Sequence, residues 1–179
     1  DGFSRQTGQS ASMKGPQDFL TETDGAVEAH IRSRIAETFP EDGFLGEETG
    51  GLPGAQAWVV DPIDGTANFA RAIPHFCVSI AFVANGEVQL GAIVNPALNE
   101  TYLARRGRGA QRNGIAIRVS NTKDIAATSF EMGWSNREPL ERYIAALEGL
   151  FRAGSNVRRA ASGAMGLAPT SSRGRNPPR

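Results

Sequence analysis

"WVVDPIDGTANF", Trp58 to Phe69, decides how this chain is read. An apolar run ends in Asp61, and a second acid, Asp64, follows after a Pro-Ile step. Pro, Gly and Thr around them are residue types of turns. The pattern predicts a strand ending at Asp61 and a tight turn carrying Asp64. Side chains alternate along a strand but converge around a turn, so both carboxylates can face one spot. Two carboxylates at the buried end of a strand are costly unless a cation binds there. Hard divalent ions such as Mg²⁺ take oxygen ligands of this kind, with water and substrate phosphate completing the shell. Gly65 lets backbone amides approach a ligand closely, and a helix opening just after it would offer amides to an anion. Asp-Pro and Asp-Gly are also ordinary turn dipeptides, so the spacing by itself leaves a plain turn open.

Strands are expected on both sides of this stretch. "CVSIAFVA" and "EVQLGAIV" flank the Asn85-Gly86 pair, the strongest short-range hairpin signal. "ETYLARR" and "IAIRVS" continue the meander, divided by Gly-rich turns at 107–109 and 112–114. Upstream, Val27, Ile31 and Ile35 recur every four residues and predict a helix from Asp24 to Phe39, with Glu28, Arg32 and Arg34 on its other faces. Asp24 is placed as its cap and Pro40 as its stop. "EDGFLGEETGG" reads as a turn-rich connector whose Glu47 and Glu48 can fold back toward the Asp61–Asp64 turn. Pro139 to Phe151 predicts a second helix, striped by Leu140, Tyr143, Ile144, Leu147 and Leu150. The order helix, antiparallel meander, helix points to a layered α+β fold.

The 179 residues suit one domain, and the apolar fraction of 40% suffices for a core. Nineteen basic residues balance nineteen acidic ones, which argues against a nucleic-acid binder working through bulk charge. The lone Cys77 precludes an internal disulfide and fits a reducing compartment, here the cytoplasm. No apolar run has the length of a membrane span, so no membrane partner is expected. Cys77 and Trp58 are assigned to the core, His30 to the helix surface and His75 to packing. Arg105, Arg106 and Arg108 are assigned to a solvated turn. Ser162 and Gly163 are held as candidate ligand contacts.

"DPIDGTANF" resembles the signature of the inositol monophosphatase family. "KGPQDFLTETD" at 14–24 is similar to that family's N-terminal element, "GEE" at 46–48 to its first metal motif, and "VSIAFVANGEVQLGAIVNPALNETYLARRGRGAQRNG" to its central sheet. The likeness runs from about Met13 to Leu167. It implies an αβαβα sugar-phosphatase sandwich and Mg²⁺-dependent hydrolysis of a small phosphate monoester, by an enzyme that is usually a homodimer. By the family pattern Glu47, Asp61 and the Ile63 carbonyl hold one Mg²⁺, Asp61 and Asp64 share a second, and Glu47 helps hold a third. Glu47 and Thr66 orient the attacking water, the Gly65 and Thr66 amides hold phosphate, Asp24 joins the water network and Lys14 lies near the metal loop. Two metals can neutralise both entering and leaving oxygens, so no His or Cys nucleophile is needed. The foremost expected substrate is myo-inositol 1-phosphate. Fructose 1,6-bisphosphate, histidinol phosphate and a 3′-phosphoadenosine nucleotide are the alternatives, as is an inactive fragment that only binds.

The family pattern breaks after Leu167. A "WDxAAG"-type motif, which supplies another metal ligand and the sugar pocket, does not follow. The chain therefore divides into a loose lead-in at 1–13, a phosphatase domain at 14–167 with its C-terminal α/β portion largely missing, and a tail at 168–179. "APTSSRGRNPPR" has no large apolar residue and three Pro, so it is expected to be disordered. From about Pro169 it fits a shifted reading frame. A missing layer should leave an apolar face uncovered.

Overall fold

The computed structural model describes residues 12–15, 18–20, 22–135, 138–168 and 171–173, with segments 12–15, 18–20 and 171–173 described by backbone alone. The lead-in up to residue 11, the side chain of Lys14 and the tail from 174 lie outside the described residues. An eight-stranded sheet organises the rest. Its strands are β3 (Gly43–Gly46), β4 (Gln56–Asp64), β5 (Cys77–Ala84), β6 (Glu87–Asn95), β7 (Glu100–Arg105), β8 (Gly109–Arg112), β9 (Ile115–Val119) and β12 (Ser171–Arg173). They lie in the order β12-β9-β8-β7-β6-β5-β4-β3. All neighbours run antiparallel except β3 and β4, which are parallel. A hairpin of β1 (Ser12–Gly15) and β2 (Asp18–Leu20) precedes the first helix, α1 (Glu22–Thr38). A parallel pair, β10 (Ser129–Glu131) and β11 (Asn156–Arg158), brackets α3 (Leu140–Arg152). Two short helices, α2 (Thr66–Phe69) and α4 (Gly163–Leu167), complete the chain. The layered α+β expectation is met.

The meander forms where its turns specify it. Asn85 and Gly86 both take positive φ, at 52° and 78°, and so do Asn113 and Gly114, at 48° and 78°. Two successive left-handed residues give the turn whose twist matches antiparallel strands. β5 keeps the expected bounds.

Four elements differ from the sequence reading. "GFLG" is strand β3, not connector; it pairs in parallel with β4 from Gly43↔Ala57 to Gly46↔Val60. β4 does not end at Asp61 but continues to Asp64 through a bulge. There Asp61 pairs with Ser79 and Asp64 with Cys77, so a three-residue step faces a two-residue one. α1 begins at Glu22, which places Asp24 inside its first turn and not at its cap. It buries Asp24 and Glu28, while Val27, Ile31 and Ile35 are only partly covered. In the tail, Ser171–Arg173 lies along Ile117–Val119 as strand β12, where no packed element was expected.

The tightest packing sits at the C-terminal end of β4. Ile63, Phe69 and Phe76 form a buried cluster against Ala97, with the two Phe rings edge to face at 5.0 Å. Met165 of α4 and Cys77 are fully enclosed beside it. Trp58 is held by its neighbours, not simply sunk beneath the sheet: its ring lies between Phe39 and Phe82 and its Nε1 donates to Asp42 at 2.8 Å. The far end of the sheet is bare. Val88, Leu103, Ile115 and Val119 are exposed, as are Ile144 and Phe151 on α3. An apolar trough of about 470 Å³, lined by Trp58, Phe82, Leu90 and Leu103 among others, opens on the sheet. Among the described residues, no helix is long and apolar enough to cross a membrane.

Candidate active site

Parallel pairing of β3 with β4 sets the first half of the site. Gly46 lies opposite Val60, and the ladder extends one bond further, from the Glu47 N–H to the Val60 carbonyl at 3.0 Å. Glu47 therefore stands beside Asp61. Burial, the Glu47 charge, a hydrogen bond shared with Glu47, and the Asp64 charge push the Asp61 carboxyl up to about 8. The Ile63 N–H, donating to Asp61 Oδ1 at 3.1 Å, opposes this. A carboxyl that keeps its proton against neighbouring carboxylates marks a place short of positive charge. Its oxygen donors are those a hard divalent cation takes, and the Ile63 carbonyl adds a neutral one.

The second half is a polar dyad. Thr66 opens α2 after Gly65, whose φ of 95° is left-handed. A Cβ on Gly65 would meet Ser162 Cβ at 3.0 Å and the His75 carbonyl at 3.1 Å, so space and conformation both require glycine. Thr66 Oγ1 lies 2.9 Å from the Ile63 carbonyl and 3.2 Å from Oδ1 of the buried Asp24. One hydroxyl proton can serve only one of these acceptors at a time, which leaves the oxygen's lone pairs for a further donor.

Asp64, which the sequence reading grouped with Asp61 on one ion, is also tied to α4. Its carboxylate accepts from Ser162 Oγ at 2.5 Å and from the Ala164 and Gly163 amides at 2.8 and 3.2 Å. These donors open α4, where Ser162 is the cap. Among the described residues, no three acidic, His or Cys side chains stand in one metal-holding arrangement. Asp64 reaches Asp61 through its charge. Ser162, held as a ligand contact, serves the internal anion.

The remaining expectations sort simply. His30 and the three arginines of the 105–108 turn are exposed, with Arg106 paired to Glu87 at 3.0 Å. His75 packs partly covered, its carbonyl accepting from Asn68 at 2.7 Å. Cys77 is fully buried, and burial followed by the Asp64 charge pushes its thiol up to about 12. A thiol reagent at pH 8 is therefore expected to label Cys77 only at the rate of unfolding; rapid labelling of folded protein would contradict the enclosure. The sequence reading missed Glu28, which is buried against the Glu47–Gly50 turn. Its signal was present: Asp24, Glu28 and Arg32 repeat at four-residue spacing, one face of α1.

Known proteins share this arrangement. The family model described as "Inositol monophosphatase family" matches residues 1–172. The "Nus factor SuhB" of Escherichia coli strain K12 is 38% identical over 163 residues, which are 88% of this chain and 61% of that protein. The chain thus spans about three fifths of the length of the curated relative it matches. Among solved structures, the extragenic suppressor protein suhB from Bartonella henselae superposes with a TM-score of 0.88 at 33% identity, covering 97% of this chain and 69% of that one. An IMPase from Thermotoga maritima gives 0.80 at 34% identity, covering 92% and 64%. An IMPase/NADP phosphatase solved with Mg²⁺ and phosphate gives 0.73 at 25% identity, covering 86% and 59%. The order of motifs, the sheet they build and the matched residues agree, and the chain belongs to the inositol monophosphatase family.

Proposed function

We propose that this chain carries the catalytic half-site of a Mg²⁺-dependent phosphatase acting on a small polyol phosphate, foremost myo-inositol 1-phosphate. The observation that carries this reading is the convergence of Glu47 on Asp61, joined through the Ile63 carbonyl to the Thr66–Asp24 dyad. Glu47, Asp61, the Ile63 carbonyl and Asp64 would hold the metal. When bound, Mg²⁺ neutralises phosphoryl oxygens and makes a neighbouring water more acidic. Thr66 Oγ1 accepts a hydrogen bond from the attacking water while handing its own proton toward Asp24 Oδ1. Glu47 orients the same water from the other side. The Gly65 and Thr66 amides, at the opening of α2, face the phosphate. Neither His nor Cys takes part.

The test is phosphate release from inositol 1-phosphate, with fructose 1,6-bisphosphate and histidinol phosphate beside it, with and without Mg²⁺. Release is expected only with metal, and Glu47→Gln should lower it about 100-fold or more. A second reading rests on the name of the curated relatives, which is Nus factor SuhB and not that of a phosphatase: this chain would then be a binding module without turnover. Folded chain that releases no phosphate from any of the three esters would remove the catalytic reading and leave this one.

A further inference from the structure

Glu28 is fully buried on α1, at 0% exposure, yet it carries a carboxylate. Burying an ion costs several kcal/mol unless hydrogen bonds replace its water. Its hydrogen-bond donors all belong to one turn. The Glu48 amide donates to Oε2 at 2.8 Å, and the Thr49 amide and hydroxyl donate to Oε1, the amide at 3.2 Å. Burial opposes ionisation, but these donors and Arg32 hold the carboxyl below the usual range. Arg32, one helical turn on, lies 3.7 Å from Glu28 Oε1, donates to the Thr49 hydroxyl and to the Gly50 carbonyl, and stacks over Phe44. Gly46, at the entrance to the turn, has no room for a side chain, because a Cβ there would occupy the Glu28 carboxyl group.

The four amides of the turn are thereby all committed. Glu47 donates to Val60 on β4, Glu48 and Thr49 to Glu28, and Gly50 back to Gly46 at 3.0 Å. The backbone of Glu47 is fixed from both sides while its side chain stays exposed. Closing an exposed turn does not require a buried ion, since water can satisfy its amides. What the ion adds is a fixed place for the residue at the head of the turn.

We infer that Glu28 is a positioning residue for the metal centre, moulding the Glu47–Gly50 turn so that the Glu47 side chain is presented beside Asp61. This rests on the reading of Glu47 as a metal ligand.

The test is Mn²⁺ binding to the 179-residue chain, followed by electron paramagnetic resonance of the free ion, with melting temperature measured in parallel. Glu28→Gln keeps the shape but turns an amide donor toward donors, and should weaken Mn²⁺ binding about tenfold, as loss of an outer partner does. Thr49→Val should weaken it about threefold in a chain that folds normally. Glu47→Gln should weaken it further still, and adding Glu28→Gln to that variant should change nothing more. Lower melting temperatures with unchanged Mn²⁺ affinity in Glu28→Gln and Thr49→Val would make Glu28 purely structural and overturn the inference. If Glu28→Gln does not fold, Thr49→Val alone decides. Wild-type affinity in Glu47→Gln would instead overturn the metal reading itself, a separate failure.

Discussion

Replacing Asp61 with asparagine should make the metal-free protein more stable at pH 8 and deaf to Mg²⁺. The sign follows from the folded carboxyl, pushed up from the usual 3.8 to about 8 by burial, by Glu47 and by Asp64. Between those two values the folded state holds a proton that the unfolded chain has released. Stability is therefore fully present below about pH 4 and is lost as pH rises toward 8. Allowing for solvent screening, the loss is about 2 kcal/mol, or roughly 5 °C in melting temperature for a chain of this size. The Asp61→Asn variant carries no titrating proton at this position, so the slope between pH 4 and 8 should flatten. Mg²⁺ should raise the wild-type melting temperature most at the upper end of that range, where the carboxylates repel most strongly, and should leave Asp61→Asn unmoved. Thermal melts from pH 4 to 9, with and without 10 mM-scale Mg²⁺, read both effects (about a hundredfold excess over a weak site gives roughly 2.7 kcal/mol). A variant that retained either the slope or the metal response would refute this account of Asp61.

Asp64→Ala should cost about 2–3 kcal/mol by leaving the Cys77 thiol and three donors of α4 without their acceptor. Ser162 Oγ and the Gly163 and Ala164 amides all converge on this carboxylate, and nothing else in the first turn of α4 replaces it. α4 also carries Met165, at 1% exposure one of the most enclosed side chains. Loosening the helix start should therefore reach the Phe69–Phe76 core. Asp64→Asn keeps one acceptor oxygen and should lose about half as much. Urea denaturation measures the difference, and hydrogen exchange at 163–167 should rise first. Unfolding of Asp64→Ala at the wild-type midpoint would mean that the link to α4 carries no stability.

The legible parts of this molecule were those that short-range chemistry specifies. Asn85-Gly86 fixes a turn by the residues that tolerate positive φ, and β5 and β6 follow from it. Glu47, Asp61, Thr66 and Asp24 were named singly from the family resemblance; Glu47 stands beside Asp61, and Thr66 beside Asp24. What could not be read depends on partners distant in the chain. "GFLG" has two large apolar residues and becomes a strand only because β4 offers it a parallel edge. The bulge between Asp61 and Asp64 appears only once Ser79 and Cys77 define the facing register. Glu28 was placed on a face of the helix away from the apolar stripe, and the Glu48 amide that binds it lies twenty residues later. Ser171–Arg173 gains strand geometry from β9 alone, since its own residues favour none.

The bond from Ser162 to Asp64 spans 98 residues of chain. Bringing its ends together costs about 4 kcal/mol of loop entropy, whereas each tight hairpin of the meander closes over a few residues. The meander should thus zip early, sequentially and reversibly, while the seam between β4 and α4 closes last. In a destabilised variant the order reverses: the seam opens while the hairpins persist. Loss of the geometry around Asp64 would then precede loss of the sheet, and circular dichroism would register little when the site is already gone.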